Sequence, residues 1–220
     1  PDRVNDLVSR MTNAEKIGQM TAIEKNSIHD LHVISQYHLG ALLSGFGGKP
    51  EQNTPAGWLD MVSQYQNQTK NTCLQIPLLY GVDAIHGFSN VVGGTIFPHF
   101  IGLGATRNPD LVRKVAEVTA DEMTATGIYW NLAPNVDVAS DTRWGRTYET
   151  FGSDVNNVAN LGLAYVQGLQ SSSDNYLHAL ATLKHFVGAG AMEWGSSSNK
   201  DFKIDQGNTN INEKKLRESH

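Results

Sequence analysis

Three clusters of polar side chains each follow an apolar run, and their residue types are those that bind polar ligands. The clusters belong to YGVDAIHG (Tyr80 to Gly87), IYWNLAPNVDVASDTRWGRTYE (Ile128 to Glu149) and TLKHFVGAG (Thr182 to Gly190). A short apolar run bounded by turn residues predicts a buried strand. Acids, arginines, a lysine and histidines just past such strands contribute little to packing, and segments of this kind often carry function. They suit a polar ligand with one hydrophobic face, which is the description of a sugar.

The first cluster offers a carboxylate, Asp83, as a hydrogen-bond acceptor. A carboxylate accepts two hydrogen bonds at once and so matches two adjacent hydroxyl groups, and such charge-assisted bonds are roughly twice as strong as neutral ones. The alternative is a structural Asp83 that caps the following loop. His86 either supports the residues that touch the ligand or packs in the interior.

The second cluster places Arg143 and Arg146 on either side of Trp144. The arginine guanidinium is a planar fork of five donors that stays charged, so it can grip a ring hydroxyl or hold a carboxylate in place. We expect one arginine to face the ligand and the other to brace the loop; an exposed, solvated arginine is the alternative. Trp144 is either a platform for sugar stacking or an anchor that holds the loop to the fold.

The third cluster contains Lys184 and His185, which are consecutive. Consecutive residues of a regular strand point to opposite faces of the sheet. Both side chains reach one ligand only if the backbone leaves strand geometry, so we predict a bulge or a cis non-proline peptide at 184–186. The alternative is Lys184 at the rim and His185 packed inside. Glu193 and Trp194, in the glycine-rich loop that follows, are expected to border the ligand.

Composition excludes several classes of function. The formal charge of −5 and the pI near 5.9 argue against nucleic acid as a partner. No apolar run reaches the length of about 18 residues that a membrane span needs, so no membrane partner is expected.

The single cysteine, Cys73, cannot form an internal disulfide. His29, His32 and His38 lack a flanking acidic pattern and are interpreted as surface or packing residues, so no metal and no cofactor are expected.

Hydrophobic spacing predicts alternating helices and strands along the chain. The predicted helices cover 2–20, 55–72, 109–127, 154–170 and 212–219, and the predicted strands cover 39–45, 76–86, 128–136 and 177–187. This α/β alternation indicates parallel strands with crossover helices. Four such units are half of a (β/α)8 TIM barrel or a complete small doubly wound sheet. GLGATR at Gly102 lacks the third glycine of a dinucleotide fingerprint and no GxxxxGK[ST] occurs, which favours the half barrel.

The same motifs resemble a known family. VDAIHG, APNVDVASDTRWGRTYETFGSD and LKHFVGAG, together with RVNDLVSRMTNAEKIGQM and NPDLVRKVAEVTADEMTATGI, are similar to the N-terminal (β/α)8 domain of glycoside hydrolase family 3, the β-glucosidase and exo-β-glucanase group. The resemblance covers nearly the whole chain. It implies that residues 1–220 are the first half of that barrel, within a longer polypeptide that supplies the rest of the barrel and a second domain.

By that resemblance, the activity is hydrolysis of terminal non-reducing β-D-glucosyl residues from β-glucosides or β-glucans by a retaining mechanism. Asp83, Arg146, Lys184 and His185 would bind the glucosyl unit in subsite −1. The family's nucleophile, an aspartate on a later strand, and its acid/base glutamate from a second domain have no counterpart here. The sequence therefore predicts no catalytic residue within this chain, including the four acids Asp137, Asp141, Glu149 and Glu193, and the chain alone is expected to be inactive.

Two departures from the family pattern refine this expectation. Ala139 and Thr147 stand where some relatives carry a disulfide pair, and KHFVGAG lacks the proline and histidine of the KHFPGHG-like loop of the N-acetylglucosaminidase branch. The second departure favours the glucosidase branch. The expected partners are a β-glucoside or β-glucan oligosaccharide and the rest of the parent polypeptide, and the resemblance favours a secreted or periplasmic location. A catalytically inert sugar-binding module is the alternative function.

Overall fold

Short parallel strands alternate with helices in the computed structural model, which describes residues 2–45, 47–171 and 178–220. The strands are β1 (Ala22–Glu24), β2 (Ala41–Ser44), β3 (Leu79–Val82), β4 (Trp130–Asn131) and β5 (Leu180–Ala181). The helices are α1 (Asp2–Arg10), α2 (Asn13–Gln19), α3 (His32–Gln36), α4 (Pro55–Thr69), α5 (Phe100–Thr106), α6 (Pro109–Thr124), α7 (Val155–Gln170) and α8 (Glu213–Ser219). The strand order is β1-β2-β3-β4-β5, so the predicted α/β class is confirmed.

The described chain divides into two compact units. Unit 1 comprises residues 1–83, 90–93 and 123–130, and unit 2 comprises residues 84–89, 94–122 and 131–220. In unit 1, β2 pairs in parallel with β1, through Leu42 and Ile23, and with β3, through Leu42 and Tyr80. The core of this unit buries Trp58 of α4 and Leu42 completely.

In unit 2, β4 is followed by a stretch of backbone that pairs with the segment around β5. Thr182 donates its N–H to Asn131 O (3.0 Å), Lys184 donates to Pro134 O (3.1 Å), and Val136 donates to Lys184 O (2.8 Å). Pro134 has no N–H to contribute, which interrupts the regular ladder and shortens the predicted strand 128–136 to two residues. The pairing continues as separate hydrogen bonds and brings the second and third polar clusters side by side.

Aromatic packing fixes the helices of unit 2 behind these segments. Phe100 of α5 stacks on Phe151 with ring centroids 4.7 Å apart, and Tyr165 of α7 meets Phe100 edge to face at 5.1 Å. All three rings are buried. A β-carbon on Gly104 would lie 2.1 Å from Phe151 O, so the close approach of α5 to residue 151 requires glycine there.

Three sequence-based expectations about the elements are wrong. The predicted helix 2–20 is two helices, because Thr12 adopts an extended conformation and caps α2: its hydroxyl accepts from Glu15 N, and Glu15 Oε2 accepts from Thr12 N at 2.8 Å. The described chain has five strands rather than four, because β1 is only three residues long and shows no periodic pattern. The short helices α3 and α5 were not predicted.

The boundaries of the other predicted helices are close to the observed ones, whereas the predicted strands 76–86 and 177–187 are shortened to Leu79–Val82 and Leu180–Ala181. Asn212 and Asp154 cap α8 and α7 with their side chains, and Pro55 begins α4. Residue 177, where the fourth predicted strand begins, lies outside the described residues. None of the described helices combines the length and the apolar character needed to cross a membrane.

Candidate functional site

Arg146 lies in the loop after β4, immediately before a single 3-10 turn at Thr147–Glu149. The turn brings Glu149 back onto the guanidinium: Arg146 Nε donates to Glu149 Oε1 (2.9 Å) and Nη2 donates to Oε2 (2.7 Å). Glu149 is 8% exposed. This two-pronged contact holds the plane of the guanidinium in one orientation, as parallel arginine–carboxylate bonds do.

His185 lies between Arg146 and a second buried carboxylate, Asp137. Its Nδ1 is 2.8 Å from Asp137 Oδ2, and its backbone N–H also points to that carboxylate at 3.3 Å from Oδ1. Its Nε2 is 3.0 Å from Arg146 Nη2. Because a guanidinium only donates, Nε2 must accept, and the ring proton therefore belongs on Nδ1, where it is donated to Asp137.

The backbone at Lys184 and His185 leaves regular strand geometry, as the sequence predicts. The peptide bonds Lys184–His185 and Phe186–Val187 are both cis. The Lys184 backbone remains paired with Pro134 and Val136, while the His185 backbone N–H turns to Asp137. The next side chain, Phe186, is 97% exposed.

The charges of this cluster reinforce one another. Hydrogen bonding to Glu149 raises the pKa of Arg146 above its ordinary value, against the effect of burial. Burial raises the pKa of Glu149, but the hydrogen bonds and charge of Arg146, with Lys184 and His185, outweigh it, so the pKa of Glu149 lies below its ordinary value. Glu149 is therefore a carboxylate at neutral pH, and Arg146 stays fully charged.

One edge of the Arg146 guanidinium has no acceptor within the described part of the chain. Nε and Nη2 are engaged by Glu149 and His185, whereas none of the described residues accepts from Nη1. The Arg146 side chain is 33% exposed. Two N–H groups on a rigidly held cation are thus directed away from the protein partners, which is the arrangement that an arginine needs to bind a ligand oxygen.

A cavity of about 250 Å³ opens beside the cluster. Its walls include Asp137, Lys184, His185 and Phe186. A neighbouring apolar cavity of about 410 Å³ lies between Val136, Leu183 and helix α7. The first of these cavities borders Asp137, Lys184 and His185 of the cluster and is therefore the candidate ligand site of unit 2.

The two arginines of the second cluster have different surroundings. Arg143 is bound to Asp141 through Nε at 2.9 Å, and its guanidinium carbon lies 4.3 Å from the ring centroid of Trp194. This pair is exposed, and the hydrogen bonds from Arg143 lower the pKa of Asp141 to about 2. Arg143 thus braces the loop, as expected of one of the two arginines, and Arg146 belongs to the polar cluster.

Trp144 is an anchor of the loop and not a stacking platform. It is 2% exposed and packs in a cluster with Ala139 and Ile204. Its Nε1 donates to Asp205 Oδ1 at 3.3 Å. Trp194, by contrast, is 52% exposed, with Arg143 against its ring.

Asp83 of the first cluster follows β3 directly and is the last residue of that segment of unit 1. The next residue, Ala84, belongs to unit 2 and is held by a reciprocal pair of hydrogen bonds from the buried side chain of Asn131: Ala84 N donates to Oδ1 (3.0 Å), and Nδ2 donates to Ala84 O (3.2 Å). Tyr165 OH also donates to Ala84 O at 3.1 Å. The segment after Asp83 is therefore firmly fixed, and the approach of Asp83 to the other three predicted residues stays a prediction.

His86 packs among other rings. The nearest nitrogens of His86 and His99 are 3.1 Å apart, and His99 meets Tyr148 edge to face at 4.7 Å. Burial lowers the pKa of His86, and the neighbouring His99 lowers it further. Of the two roles left open for His86, packing beside the second cluster is the one that these contacts favour.

Sequence reasoning missed Asp137 and Glu149 as members of the cluster. It considered both only as possible nucleophiles and set them aside. The available signal was their position in the same loop as Arg146, in VDVASDTRWGRTYE. That loop also contains the exposed Asp141, and the sequence does not distinguish an exposed acid from a buried one.

The model of the glycosyl hydrolase family 3 N-terminal domain matches residues 12–220, nearly the whole chain. The chain belongs to glycosyl hydrolase family 3. Among family members, it is 31% identical over 208 residues to a lysosomal β-glucosidase of Dictyostelium discoideum, covering 84% of this chain and 25% of that protein. It is 34% identical over 205 residues to a periplasmic β-glucosidase of Salmonella typhimurium, covering 89% of this chain and 24% of that protein.

Solved family 3 structures have the same fold. An exo-1,3/1,4-β-glucanase from a Pseudoalteromonas species superposes with a TM-score of 0.88 at 38% identity, covering all of this chain and 28% of that one. A Listeria innocua β-glucosidase in complex with glucose superposes with a TM-score of 0.70 at 30% identity, covering 87% of this chain and 27% of that one. The predicted barrel-like fold class is confirmed, and the chain spans about a quarter of the length of these relatives.

Proposed function

We propose that this chain contributes the glucosyl-binding half of a barrel that hydrolyses terminal non-reducing β-D-glucosyl residues from β-glucosides or β-glucans with retention of configuration. Asp83, Arg146, Lys184 and His185 bind the sugar ring in subsite −1. The nucleophile and the acid/base are supplied by polypeptide beyond the 220 residues. Relatives named as β-glucosidases and exo-glucanases support this assignment.

The observation that carries the proposal is the contact of Arg146 with His185 at 3.0 Å. Residues 39 positions apart meet because their segments, after β4 and β5, run side by side. Arg146 directs the donors of Nη1 away from its protein partners, and His185 lies against the cavity that Lys184 also lines. A sugar hydroxyl accepts hydrogen bonds through its oxygen, so a surface with fixed guanidinium donors suits it.

The same geometry supports a nucleophile outside the chain. A retaining glycosidase needs two carboxyl groups about 5–5.5 Å apart, one as nucleophile and one as acid/base. Both buried carboxylates of this cluster are already engaged: Asp137 by His185, and Glu149 by Arg146. Neither has the freedom to attack an anomeric carbon without losing the contacts that hold the binding residues.

This engagement of Asp137 and Glu149 also favours a second candidate, a catalytically inert sugar-binding module. Such a module would keep the four binding residues and lack the chemistry. The two candidates differ in what the protein does to a bound glucoside and not in how it binds the glucosyl unit.

The test compares the 220-residue chain with the longest natural polypeptide that contains it. We expect the longer polypeptide to release glucose from an aryl β-glucoside and from laminaribiose, with the β-anomer appearing first in the NMR spectrum. We expect the 220-residue chain to release none. Binding of glucose without hydrolysis by the longer polypeptide would establish the inert module, and neither binding nor hydrolysis would overturn both candidates.

A further inference from the structure

Two carboxylates, Asp137 and Glu149, flank the residues proposed to bind the sugar but are not themselves proposed to contact it. Asp137 lies on one side of His185 and Glu149 lies on the far side of Arg146, so the four side chains form one continuous row of hydrogen bonds. Both carboxylates are nine-tenths or more buried. Burying a carboxylate costs free energy unless the group is paired and hydrogen-bonded, so a buried position for each acid indicates a structural or functional role.

We propose that Asp137 and Glu149 are positioning residues that decide which nitrogens of His185 and Arg146 donate hydrogen bonds and in which direction. Asp137 fixes His185 with its proton on Nδ1, and Glu149 fixes the plane of Arg146. This inference deepens the proposed function and rests on it for the identity of the ligand. The row of hydrogen bonds itself is a property of the chain without ligand.

The role of Asp137 follows from the two nitrogens of the His185 ring. A neutral imidazole has one donor and one acceptor, and the partner of one nitrogen decides the state of the other. Asp137 only accepts when ionised, so it selects the N–H at Nδ1. Nε2 is then an acceptor next to Arg146, whereas the opposite tautomer would direct an N–H at the guanidinium N–H at 3.0 Å.

The role of Glu149 follows from the fork of hydrogen bonds on Arg146. Its two oxygens take Nε and one N–H of Nη2, which leaves the second N–H of Nη2 for His185 and both N–H groups of Nη1 for a ligand. The single lone pair of His185 Nε2 is then occupied by Arg146 Nη2, and the donors of Nη1 remain for a ligand oxygen. A sugar hydroxyl can accept from these donors through its oxygen, so the fixed guanidinium presents donors to it.

The test of Asp137 reads the ring nitrogens directly. In ¹⁵N NMR of the 220-residue chain, we expect His185 to show a protonated Nδ1 and an acceptor-type Nε2, with its signals assigned by their loss in His185→Gln. In Arg146→Ala, where Asp137 alone selects the tautomer, we expect the ring proton to stay on Nδ1; in Arg146→Ala/Asp137→Asn, whose side-chain amide can donate to Nδ1, we expect it to move to Nε2. The matched control is Asp141→Asn, which changes an exposed acid of the same loop and should leave His185 as in the wild type.

Two results would overturn this role of Asp137. One is a wild-type His185 with its proton on Nε2, a measurement that does not depend on whether any variant folds. The other is a folded Arg146→Ala/Asp137→Asn variant whose His185 keeps the proton on Nδ1.

Activity separates positioning from the proposed function. In the longest natural polypeptide, Asp137→Asn and Glu149→Gln are expected to lower kcat/KM for an aryl β-glucoside by roughly 10- to 100-fold, and Asp141→Asn by less than about twofold. Glu149→Asp should recover part of the loss, because a carboxylate remains. If the NMR signals are as expected but the wild-type longest polypeptide is inactive, the proposed hydrolase activity is refuted and the row of hydrogen bonds stands. If Asp137→Asn and Glu149→Gln both keep full activity, only the positioning role is refuted.

Discussion

Arg143 and Arg146 lie three residues apart in one loop, and each forms a two-pronged hydrogen-bonded pair with a carboxylate of that loop. The two pairs nevertheless occupy different environments. Arg143 pairs with Asp141 in solvent and covers the face of Trp194. Arg146 pairs with a buried Glu149 and extends to His185. Both arginines contact residues that follow β5, but the neighbour differs: Arg143 lies against the exposed Trp194, whereas Arg146 contacts His185 beside the cavity.

The comparison shows why an ion pair by itself says little about function. Exposed pairs contribute little, because water and salt screen them and two long side chains lose freedom. The pair with the buried Glu149 is joined to His185, which lines a cavity. Both guanidinium groups are held through Nε and Nη2, so the difference between the two arginines lies in the burial of the paired carboxylate and in the contact with His185.

Removing the Arg146 side chain should have the largest effect on activity. We expect Arg146→Ala in the longest natural polypeptide to lower kcat/KM for an aryl β-glucoside by roughly 10²–10³-fold, the range for loss of a fixed donor in an active site. The fold should persist, because Arg146 lies in a loop. Arg143→Ala is the matched control and should retain activity within a few-fold; equal losses in the two variants would contradict the distinction between the arginines.

Keeping the charge but losing the fork should have an intermediate effect. Lysine cannot make the two-pronged bond to Glu149 and also reach His185, so Arg146→Lys is expected to lower kcat/KM by roughly tenfold or more. Arg143→Lys, measured beside it, should resemble the wild type. Full activity in Arg146→Lys would mean that charge alone suffices at this position.

The buried pair should also appear in the pH dependence of stability. Because the pKa of Glu149 in the folded chain lies below its ordinary value of 4.5, its contribution is fully present above that pH and is lost as the pH falls through the folded-state value. At neutral pH, we expect Glu149→Gln to lower the free energy of unfolding by about 1–3 kcal/mol.

The measurement is denaturant unfolding of the wild type and Glu149→Gln between pH 7 and pH 3. The difference between the two proteins should shrink below pH 4.5. Asp141→Asn, which changes the exposed pair, should follow the wild-type curve closely across this range. A difference for Glu149→Gln that stays constant with pH would rule out an ionised Glu149 as its source.

The smallest effect is expected where Arg143 covers Trp194. Arg143→Ala exposes that face of the indole, so the tryptophan fluorescence should shift toward the red, while the melting temperature stays close to that of the wild type. An unchanged emission spectrum would show that the stacking does not persist in solution.

Much of this arrangement is readable in the sequence. Apolar runs followed by polar clusters locate the strand exits, and two consecutive ligand-type residues, Lys184 and His185, predict the break in strand geometry that the cis peptide bond provides. The α/β class follows from the alternation of the elements.

Other features depend on burial, which no local pattern contains. Asp137, Asp141 and Glu149 look alike in VDVASDTRWGRTYE, and only packing makes two of them buried anchors and leaves the third in solvent. Strand β1 is recognised by its hydrogen bonds to β2 and not by its composition. The choice between Arg143 and Arg146 likewise depends on the segment that packs beside each one.

The side chain of Asn131 acts as a one-residue substitute for a neighbouring strand. Its amide supplies a donor and an acceptor in the same spacing as a peptide group, and it gives both to Ala84. Aspartate offers no donor, serine has too short a reach to serve both atoms, and glutamine is one methylene too long. Each of these exchanges at position 131 would therefore lose at least one of the two hydrogen bonds that hold Ala84, the residue after Asp83.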